Sequence, residues 1–230
     1  MARSSLQLED LELKDCFIDS TGLRSILTRC NKLRRLAIEL THVRRIRSET
    51  YPQYEHWEID FDEFGIVLKE LGSSLAEFDF DSFGYELGNG QDGRLGSLEQ
   101  LSSLRHLRVF KNDLLGDQMN REREETPTLT LCETLPRCLE TLHIYFPCHS
   151  PIRGAGARDH EETYQELYNL ITQNEFPSLR QITVERHADP SKSGEWDQVI
   201  EGWGDRVDNY YTKRSGSSEA KRTVLILSKR

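Results

Sequence analysis

Cysteine and histidine side chains gather in one stretch of the sequence. Cys132, Cys138, His143, Cys148 and His149 are residue types that hold zinc through thiolate sulfur or imidazole nitrogen. Their spacing contains no C-x-x-C pair, however, and His143 falls inside a predicted strand. We therefore expect these residues to serve unrelated parts of the fold. A metal site around residues 132–149 is kept as part of the alternative hypothesis.

A second chemical motif is the glycine-rich run from Gly88 to Gly93, which has the G-x-G-x-x-G spacing of dinucleotide-binding loops. In such loops the glycines turn directly from a strand into a helix, so that backbone N–H groups reach a pyrophosphate. Here the run lies several residues beyond the predicted strand end at Asp81, and Glu86 and Asp92 would repel phosphate. The sequence favours an ordinary loop. The alternative hypothesis is a small-ligand or metal-binding protein that uses the loops around 86–94 and 132–149.

No pattern typical of a catalyst is found in the sequence. The run His160-Glu161-Glu162 lacks the second histidine of a zinc protease helix, and neither G-x-S-x-G nor a P-loop occurs. The net charge of -9 argues against a general affinity for nucleic acid or for an anionic membrane. We therefore expect a non-enzymatic protein with no cofactor, no bound metal, no nucleic acid partner and no membrane partner.

The cysteine count and the N-terminus indicate the compartment. The chain has five cysteines, an odd number, and we expect no N-terminal leader of the secretory kind. Two of the cysteines occupy positions where a reduced thiol acts as a small buried hydrophobe. These features predict a reducing compartment, cytoplasmic or nuclear.

The elements that position these residues are predicted by an apolar-x-x-apolar-x-apolar pattern that occurs six times, at intervals of 25 to 42 residues. Such a period indicates one strand-plus-helix unit that is repeated with insertions. The six apolar triads are Leu8-Leu11-Leu13, Leu33-Leu36-Ile38, Leu75-Phe78-Phe80, Leu104-Leu107-Val109, Leu139-Leu142-Ile144 and Leu179-Ile182-Val184.

Helical spacing follows several of these triads. Leu23, Ile26, Leu27 and Cys30 fall at i, i+3, i+4 and i+7, so they share one face of a helix that can pack on the first strand. Similar helical spacing recurs at two further places, namely Phe61, Phe64, Leu68 and Leu71, and Tyr164, Leu167, Tyr168 and Ile171. The first unit, from Leu8 to Leu33, closely resembles the cysteine-containing leucine-rich repeat.

The wider chain resembles the leucine-rich repeat portion of a fungal F-box/leucine-rich-repeat protein, over most of Leu8 to Val184. The phrase from Leu135 to Ile144, LPRCLETLHI, carries this resemblance together with the irregular repeats and long loops. The resemblance implies a part that holds the substrate of an SCF-type ubiquitin ligase, while an N-terminal F-box docks on the SCF adaptor. We expect that this F-box is missing before Leu8, so that only the substrate-binding half is implied.

The predicted fold class is α/β. We expect a leucine-rich repeat solenoid with a curved parallel sheet inside and helices outside, built from about six irregular repeats. The solenoid should span residues 1–186, and residues 187–230 should form a C-terminal capping segment of the same domain. Within that segment we expect a helix from Trp196 to Tyr211, a linker from Arg214 to Lys221 and a terminal strand from Thr223 to Leu227 that covers the open edge of the sheet.

Connecting segments of variable length are predicted to follow the C-terminal ends of the strands. They should emerge on one rim of the solenoid, where recognition residues commonly lie. The segments are Thr41 to Asp60, Ser82 to Arg94, Lys111 to Pro127, Pro147 to Glu162 and His187 to Glu195.

Strand alternation predicts which residues lie on the concave face. If the apolar triads point into the hydrophobic core, the residues between them lie on the opposite side of the sheet, which is the concave face. We predict that a protein partner binds this face and the loop rim, through an acidic patch beside an aromatic and cationic patch. The predicted partner-binding residues are Glu77, Asp79, Asp81, His106, Arg108, Phe110, His143 and Tyr145. Two alternatives remain open, namely an ordinary polar sheet face and a degenerate gene product with no surviving partner.

Overall fold

The computed structural model describes residues 6–41, 59–82, 93–116, 129–146, 165–172, 175–187, 210–217 and 222–229. Strands and helices alternate along most of this part of the chain. The elements are β1 (Asp10–Cys16), α1 (Ser20–Arg29), β2 (Arg35–Leu40), α2 (Phe61–Leu71), β3 (Glu77–Asp81), β4 (His106–Phe110), α3 (Lys111–Leu115), α4 (Leu131–Thr134), β5 (Thr141–Phe146), α5 (residues 165–172), β6 (Gln181–His187), β7 (Tyr210–Ser217) and β8 (Arg222–Lys229).

One eight-stranded sheet contains all the described strands, in the order β1-β2-β3-β4-β5-β6-β8-β7. The first six strands are parallel and follow chain order, so the predicted α/β fold class is confirmed. The last two positions of each apolar triad align across the sheet. One row contains Leu11, Leu36, Phe78, Leu107, Leu142 and Ile182, and the next contains Leu13, Ile38, Phe80, Val109, Ile144 and Val184.

A repeated hydrogen-bond pattern sets this register at the start of each parallel strand from β2 onward. The backbone N–H groups of two consecutive residues donate to a single carbonyl oxygen that precedes the neighbouring strand. Ala76, for example, accepts from Arg105 at 2.7 Å and from His106 at 3.0 Å. Because every strand is anchored at the same point of its repeat, the residues that follow the anchor stay level across the sheet.

The three helices predicted within the repeats are confirmed where the structure describes them. Helix α1 begins after Asp19, whose carboxylate accepts from the N–H of Gly22 and satisfies a free donor of the first turn. Helix α2 begins in the same way after Asp60, which accepts from the N–H of Glu63. Leu167 and Ile171 of α5 are buried, as their helical spacing predicts.

The units are irregular on the helical side of the sheet. Between β3 and β4, the described residues 93–105 form no helix, yet Leu95 and Leu98 are fully buried there. Their N–H groups donate to the carbonyl oxygens of Asp113 and Thr134, which lie in α3 and α4. This extended segment packs directly on α2, where a Cβ added to Gly65 would lie 2.0 Å from the carbonyl oxygen of Leu95.

The connecting segment predicted from Lys111 to Pro127 is wrong at its start. Residues Lys111–Leu115 form α3 directly after β4, and Leu114 and Leu115 are fully buried. A five-residue helix with two adjacent apolar residues is too short to show a helical period in the sequence. Residues 117–128 lie outside the described part of the chain.

The C-terminal segment also differs from the prediction. Strand β8 includes the predicted strand Thr223–Leu227 and pairs antiparallel with β6. However, β7 occupies Tyr210–Ser217, where the end of a helix and the start of a linker were predicted, so these two predictions are wrong over that range. The aromatic and hydroxyl residues Tyr210, Tyr211 and Thr212 favour a strand once β8 offers an edge to pair with. Residues 196–209 lie outside the described part of the chain.

Candidate functional site

The residues between the apolar positions of β1 to β6 share the opposite face of the sheet, which we call the polar face. Strand alternation places them there, and the parallel register makes them neighbours across the strands. Glu77 lies level with His106, Asp79 with Arg108, Arg108 with His143, and Phe110 with Tyr145. Asp81 lies level with Glu39 of β2. All eight predicted partner-binding residues therefore belong to one face of one sheet.

An ion-pair chain crosses the first three strands of the polar face. The guanidinium of Arg35 contacts Asp10 of β1 at 2.7 Å and Glu77 of β3 at 3.5 Å. The hydrogen bond to Asp10 raises the pKa of Arg35 above its ordinary value. Since these side chains are partly or largely exposed, each pair stabilises the fold only weakly and mainly orders the side chains.

Asp79 and Arg108 form the central ion pair of the polar face. An Nη of Arg108 donates to the carboxylate of Asp79 at 3.2 Å. Burial raises the pKa of Asp79 above its ordinary value, although the positive charge of Arg108 acts in the opposite direction. The cost of removing the carboxylate from water therefore exceeds the attraction of its partner. An ionised carboxylate that is destabilised by burial in this way is typical of a functional site, where function is gained at the expense of stability.

Aromatic rings pack beside this ion pair to form what we call the aromatic cluster, Arg108, Phe110, His143, Tyr145 and Glu185. The guanidinium of Arg108 lies 4.7 Å from the centre of the Tyr145 ring. That ring stacks on Phe110 at 4.8 Å and on His143 at 4.6 Å between ring centres. His143 Nε2 lies 3.0 Å from a carboxylate oxygen of Glu185. Charge, ring stacking and hydrogen bonding thus link four adjacent strands, β3 to β6.

Exposure divides the predicted residues into two groups. Phe110 is 3% exposed and Tyr145 is 5% exposed, so the two aromatic residues pack into the face. The side chain of Asp79 is 30% exposed and that of Arg108 is 41% exposed. Partly exposed side chains are also found at Glu77, Asp81, His106 and His143. The charged and imidazole groups are accordingly the ones that a partner can reach, and the two rings support them from below.

Two polar atoms of the aromatic cluster have no hydrogen-bond partner among the described residues. They are the Nε of Arg108 and the hydroxyl of Tyr145, and both are buried. Buried donors are usually satisfied in folded proteins, because leaving one unpaired costs about 1–3 kcal/mol. The neighbouring His106 is satisfied, since its Nδ1 lies 2.8 Å from the hydroxyl oxygen of Thr141.

A group of buried charged residues lies beside the carboxyl end of β4, and the sequence analysis missed it. Lys111 and Glu166 are 6% and 8% exposed, and their charged atoms lie 3.8 Å apart. Asp113 is fully buried in the same short helix, α3. The sequence offers only the weak signal of a lysine directly after the fourth triad, because Lys111 and Glu166 come together only when α5 packs on α3.

The cysteine and histidine segment forms no metal site in the part of the chain that the structure describes, where no group of three or more possible ligands occurs. The thiol of Cys138 donates to the carbonyl oxygen of Leu104 at 3.2 Å, and Cys132 packs against the hydrophobic core. His143 belongs to the aromatic cluster. Cys148 and His149 lie outside the described residues, as does the loop from Gly88 to Asp92.

Hydropathy gives a separate result for the helices. Among the described residues, none of the helices has both the length and the apolar content needed to cross a membrane.

Comparison with known proteins identifies the repeats. A family model described as a leucine-rich repeat domain matches residues 69–187, which include β3 to β6 and the whole aromatic cluster. No curated protein and no solved structure matches the chain.

Proposed function

Because the chain belongs to the leucine-rich repeat domain family, we propose that it is a non-enzymatic recognition module that binds a protein partner on its polar face. Domains of this family generally mediate protein–protein interaction and are typically not enzymes. We propose that the eight predicted residues form the binding site, with Asp79 and Arg108 at the centre, and that Phe110 and Tyr145 lie beneath the six residues that a partner can reach. The loop rim at the carboxyl ends of the strands extends the surface.

The observation that carries this proposal is the state of the Asp79–Arg108 pair. Its carboxylate is ionised only at a cost, and the Arg108 Nε and the Tyr145 hydroxyl are buried without a partner among the described residues. Apolar or neutral residues would pack more stably at these positions. Arginine is also one of the residue types that contribute most often to binding energy at protein interfaces.

The charge pattern indicates what the partner presents. The exposed and partly exposed carboxylates of Glu39, Glu77 and Asp81 lie on neighbouring strands β2 and β3, and Arg108 adjoins them on β4. Basic side chains of a partner would face the first group, and an acidic side chain would face Arg108. The packed rings of Phe110 and Tyr145 keep Arg108 in place, so little side-chain entropy is lost on binding.

The finer proposal is that the chain is the substrate-binding part of an SCF-type ubiquitin ligase receptor, acting in the cytoplasm or nucleus. It rests on the resemblance of the phrase from Leu135 to Ile144 and on the irregular repeats. In this proposal an F-box, and not the repeats, docks on the SCF adaptor. The substrate is held by the polar face.

Affinity capture from cells followed by mass spectrometry tests the first part. The double variant Glu77→Lys/Asp81→Lys reverses two charges on the polar face, and Glu70→Lys/Glu99→Lys reverses two exposed charges away from it, on α2 and in the turn before β4. We expect at least one protein to be captured by the parent and by the second variant but lost from the first. Identical capture by all three folded proteins would contradict the proposal.

The same experiment addresses the ligase proposal when the chain is expressed in fusion with an F-box. Recovery of the SCF adaptor and cullin together with the polar-face partner supports it, provided that the partner is ubiquitinated more in the fusion than in the chain alone. A partner that is captured but never ubiquitinated would contradict the ligase role and leave the binding role in place.

A further inference from the structure

Four groups that carry charge, or gain it on protonation, lie side by side across strands β3 to β6 of the polar face. Asp79 lies level with Arg108, and Arg108 lies level with His143. At one end Arg108 contacts the carboxylate of Asp79 at 3.2 Å. At the other end Nε2 of His143 lies 3.0 Å from the carboxylate of Glu185. Two basic groups therefore lie next to each other between two carboxylates.

The two basic groups in the middle are within reach of a partner. The side chain of Arg108 is the most exposed of the four, and that of His143 is 27% exposed, whereas that of Glu185 is only 11% exposed. Both basic groups pack against the buried ring of Tyr145, which holds them in place. Since adjacent strands are about 4.8 Å apart, one acidic side chain of a partner can contact both groups at once.

His143 differs from its neighbours because histidine is the side chain type that commonly changes its charge between about pH 5 and pH 8. Burial raises the pKa of Asp79, while the positive charges of Arg108 and His143 act to lower it, so the charge of His143 reaches across to β3. The charged and titratable groups that face His143 on the polar face, among the described residues, are Glu77, Asp79 and Asp81 on β3, His106 and Arg108 on β4, Tyr145 on β5 and Glu185 on β6.

We propose that Arg108 and His143 together bind an acidic side chain of the protein partner, and that protonation of His143 strengthens this contact. The inference rests on the proposed function, because it concerns the same face and the same partner. With His143 neutral, the four groups carry one positive and two negative charges, so an incoming carboxylate meets a net negative charge. With His143 protonated the four charges balance, and two adjacent cations face the carboxylate. Affinity therefore rises as the pH falls through the titration of His143.

Isothermal titration tests this with the full chain and a protein partner that the parent captures and Glu77→Lys/Asp81→Lys loses. From about pH 7.5 to about pH 6, the affinity of the parent should rise roughly three- to tenfold, the effect of one unit charge about 5 Å away near a protein surface. His143→Gln keeps an N–H donor for Glu185 but gains no charge, so its affinity should be equal at the two pH values. His143→Lys is charged at both, so it should also bind equally at the two pH values, and more tightly than His143→Gln.

Two further variants separate His143 from the other groups that can titrate on this face. His106→Gln removes the second imidazole, and Asp79→Asn removes the carboxylate whose pKa is raised by burial. Whatever these changes do to the affinity at neutral pH, both variants should keep the rise on acidification, because His143 is intact. Loss of the rise in either variant, with the rise retained in His143→Gln, would assign the pH dependence to another group and overturn the proposal.

The outcomes distinguish this inference from the proposed function on which it rests. A parent whose affinity is constant or falls on acidification overturns the inference and leaves the proposed function in place. Equal affinities of His143→Lys and His143→Gln do the same, because the charge at this position would then not act on the partner. If no captured protein depends on Glu77 and Asp81, the proposed function fails and the inference fails with it. Circular dichroism spectra that match the parent exclude unfolding of a variant as the cause.

Discussion

Gly65 lies where helix α2 comes closest to the extended segment before β4. An alanine Cβ at this position would be 2.0 Å from the carbonyl oxygen of Leu95 and 2.7 Å from its carbonyl carbon. Non-bonded atoms settle at about 3.5–4.0 Å, so the two backbones must separate by more than about 1 Å. Both are backbone segments fixed by hydrogen bonds, and neither can yield as a flexible side chain would.

The expected cost of Gly65→Ala follows from two opposing effects. Overpacking of a core usually costs about 1–3 kcal/mol, and a rigid backbone obstacle favours the upper end or beyond. Alanine regains up to about 1 kcal/mol over glycine as a helix former. We expect a net loss of about 2 kcal/mol in the free energy of unfolding, which corresponds to a melting temperature lower by roughly 4–8 °C for a chain of this size.

Urea unfolding followed by circular dichroism measures this loss, with Gly22→Ala as the matched control. Gly22 lies in α1, where the nearest atom to an added Cβ is a side-chain carbon of Ile18 at 3.1 Å, which can shift. The control should be as stable as the parent or slightly more stable. Equal stability of the two variants would refute the close packing of α2 against Leu95.

Three further predictions concern the core and the titrating groups. Leu142→Ala removes a side chain that is 1% exposed and should cost about 2–5 kcal/mol in urea unfolding, whereas Leu8→Ala at the exposed edge should cost under about 1 kcal/mol; similar losses would contradict the aligned core. Asp79→Asn should stabilise the chain at neutral pH, because burial raises the pKa of Asp79 and the folded state then binds its proton more tightly than the unfolded state does. This gain is present above the folded pKa of Asp79 and disappears as the pH falls below the ordinary aspartate value of about 3.9. Urea unfolding of the parent and the variant at neutral pH and again below that value checks the sign. A gain in stability that grows on acidification would contradict the prediction. Burial raises the pKa of the Cys16 thiol to about 11, so mass-mapped alkylation at neutral pH should modify Cys16 more slowly in the folded than in the unfolded chain, and equal rates would contradict its half-buried position.

The apolar pattern predicts the sheet because it depends on local spacing that every repeat must satisfy. Leu107, Leu142 and Ile182 occupy the same place after the anchoring turn, so their alignment follows from the sequence once the strands are taken as neighbours. Helices α1 and α2 are predicted for the same reason, since each is long enough to show a helical period. The short helix α3 was missed because it depends on contacts with an earlier segment, where the N–H of Leu95 donates to the carbonyl oxygen of Asp113. Strand β7 pairs with the neighbouring strand β8, and it was missed because its serine and glycine residues were interpreted as a linker.

The candidate site divides in the same way. Alternation along the strands predicts that Asp79, Arg108 and His143 share a face, and the register makes them neighbours. The burial of Phe110 and Tyr145 could not be predicted, because alternation gives the side of the sheet and not the depth at which a ring packs. The pKa of Asp79 likewise depends on how far the surrounding side chains remove it from water.

The central claim is that the polar face binds a protein partner through its charged centre. Isothermal titration of the captured partner against Arg108→Gln and Arg180→Gln tests it most directly, because the two variants make the same substitution at a partly exposed and an exposed position. Arg108 lies in the polar face, and Arg180 lies in the turn before β6 with a 3.9 Å contact to Glu140. We predict that Arg108→Gln weakens binding by about tenfold or more while Arg180→Gln binds like the parent. Unchanged affinity of the Arg108 variant would contradict the claim.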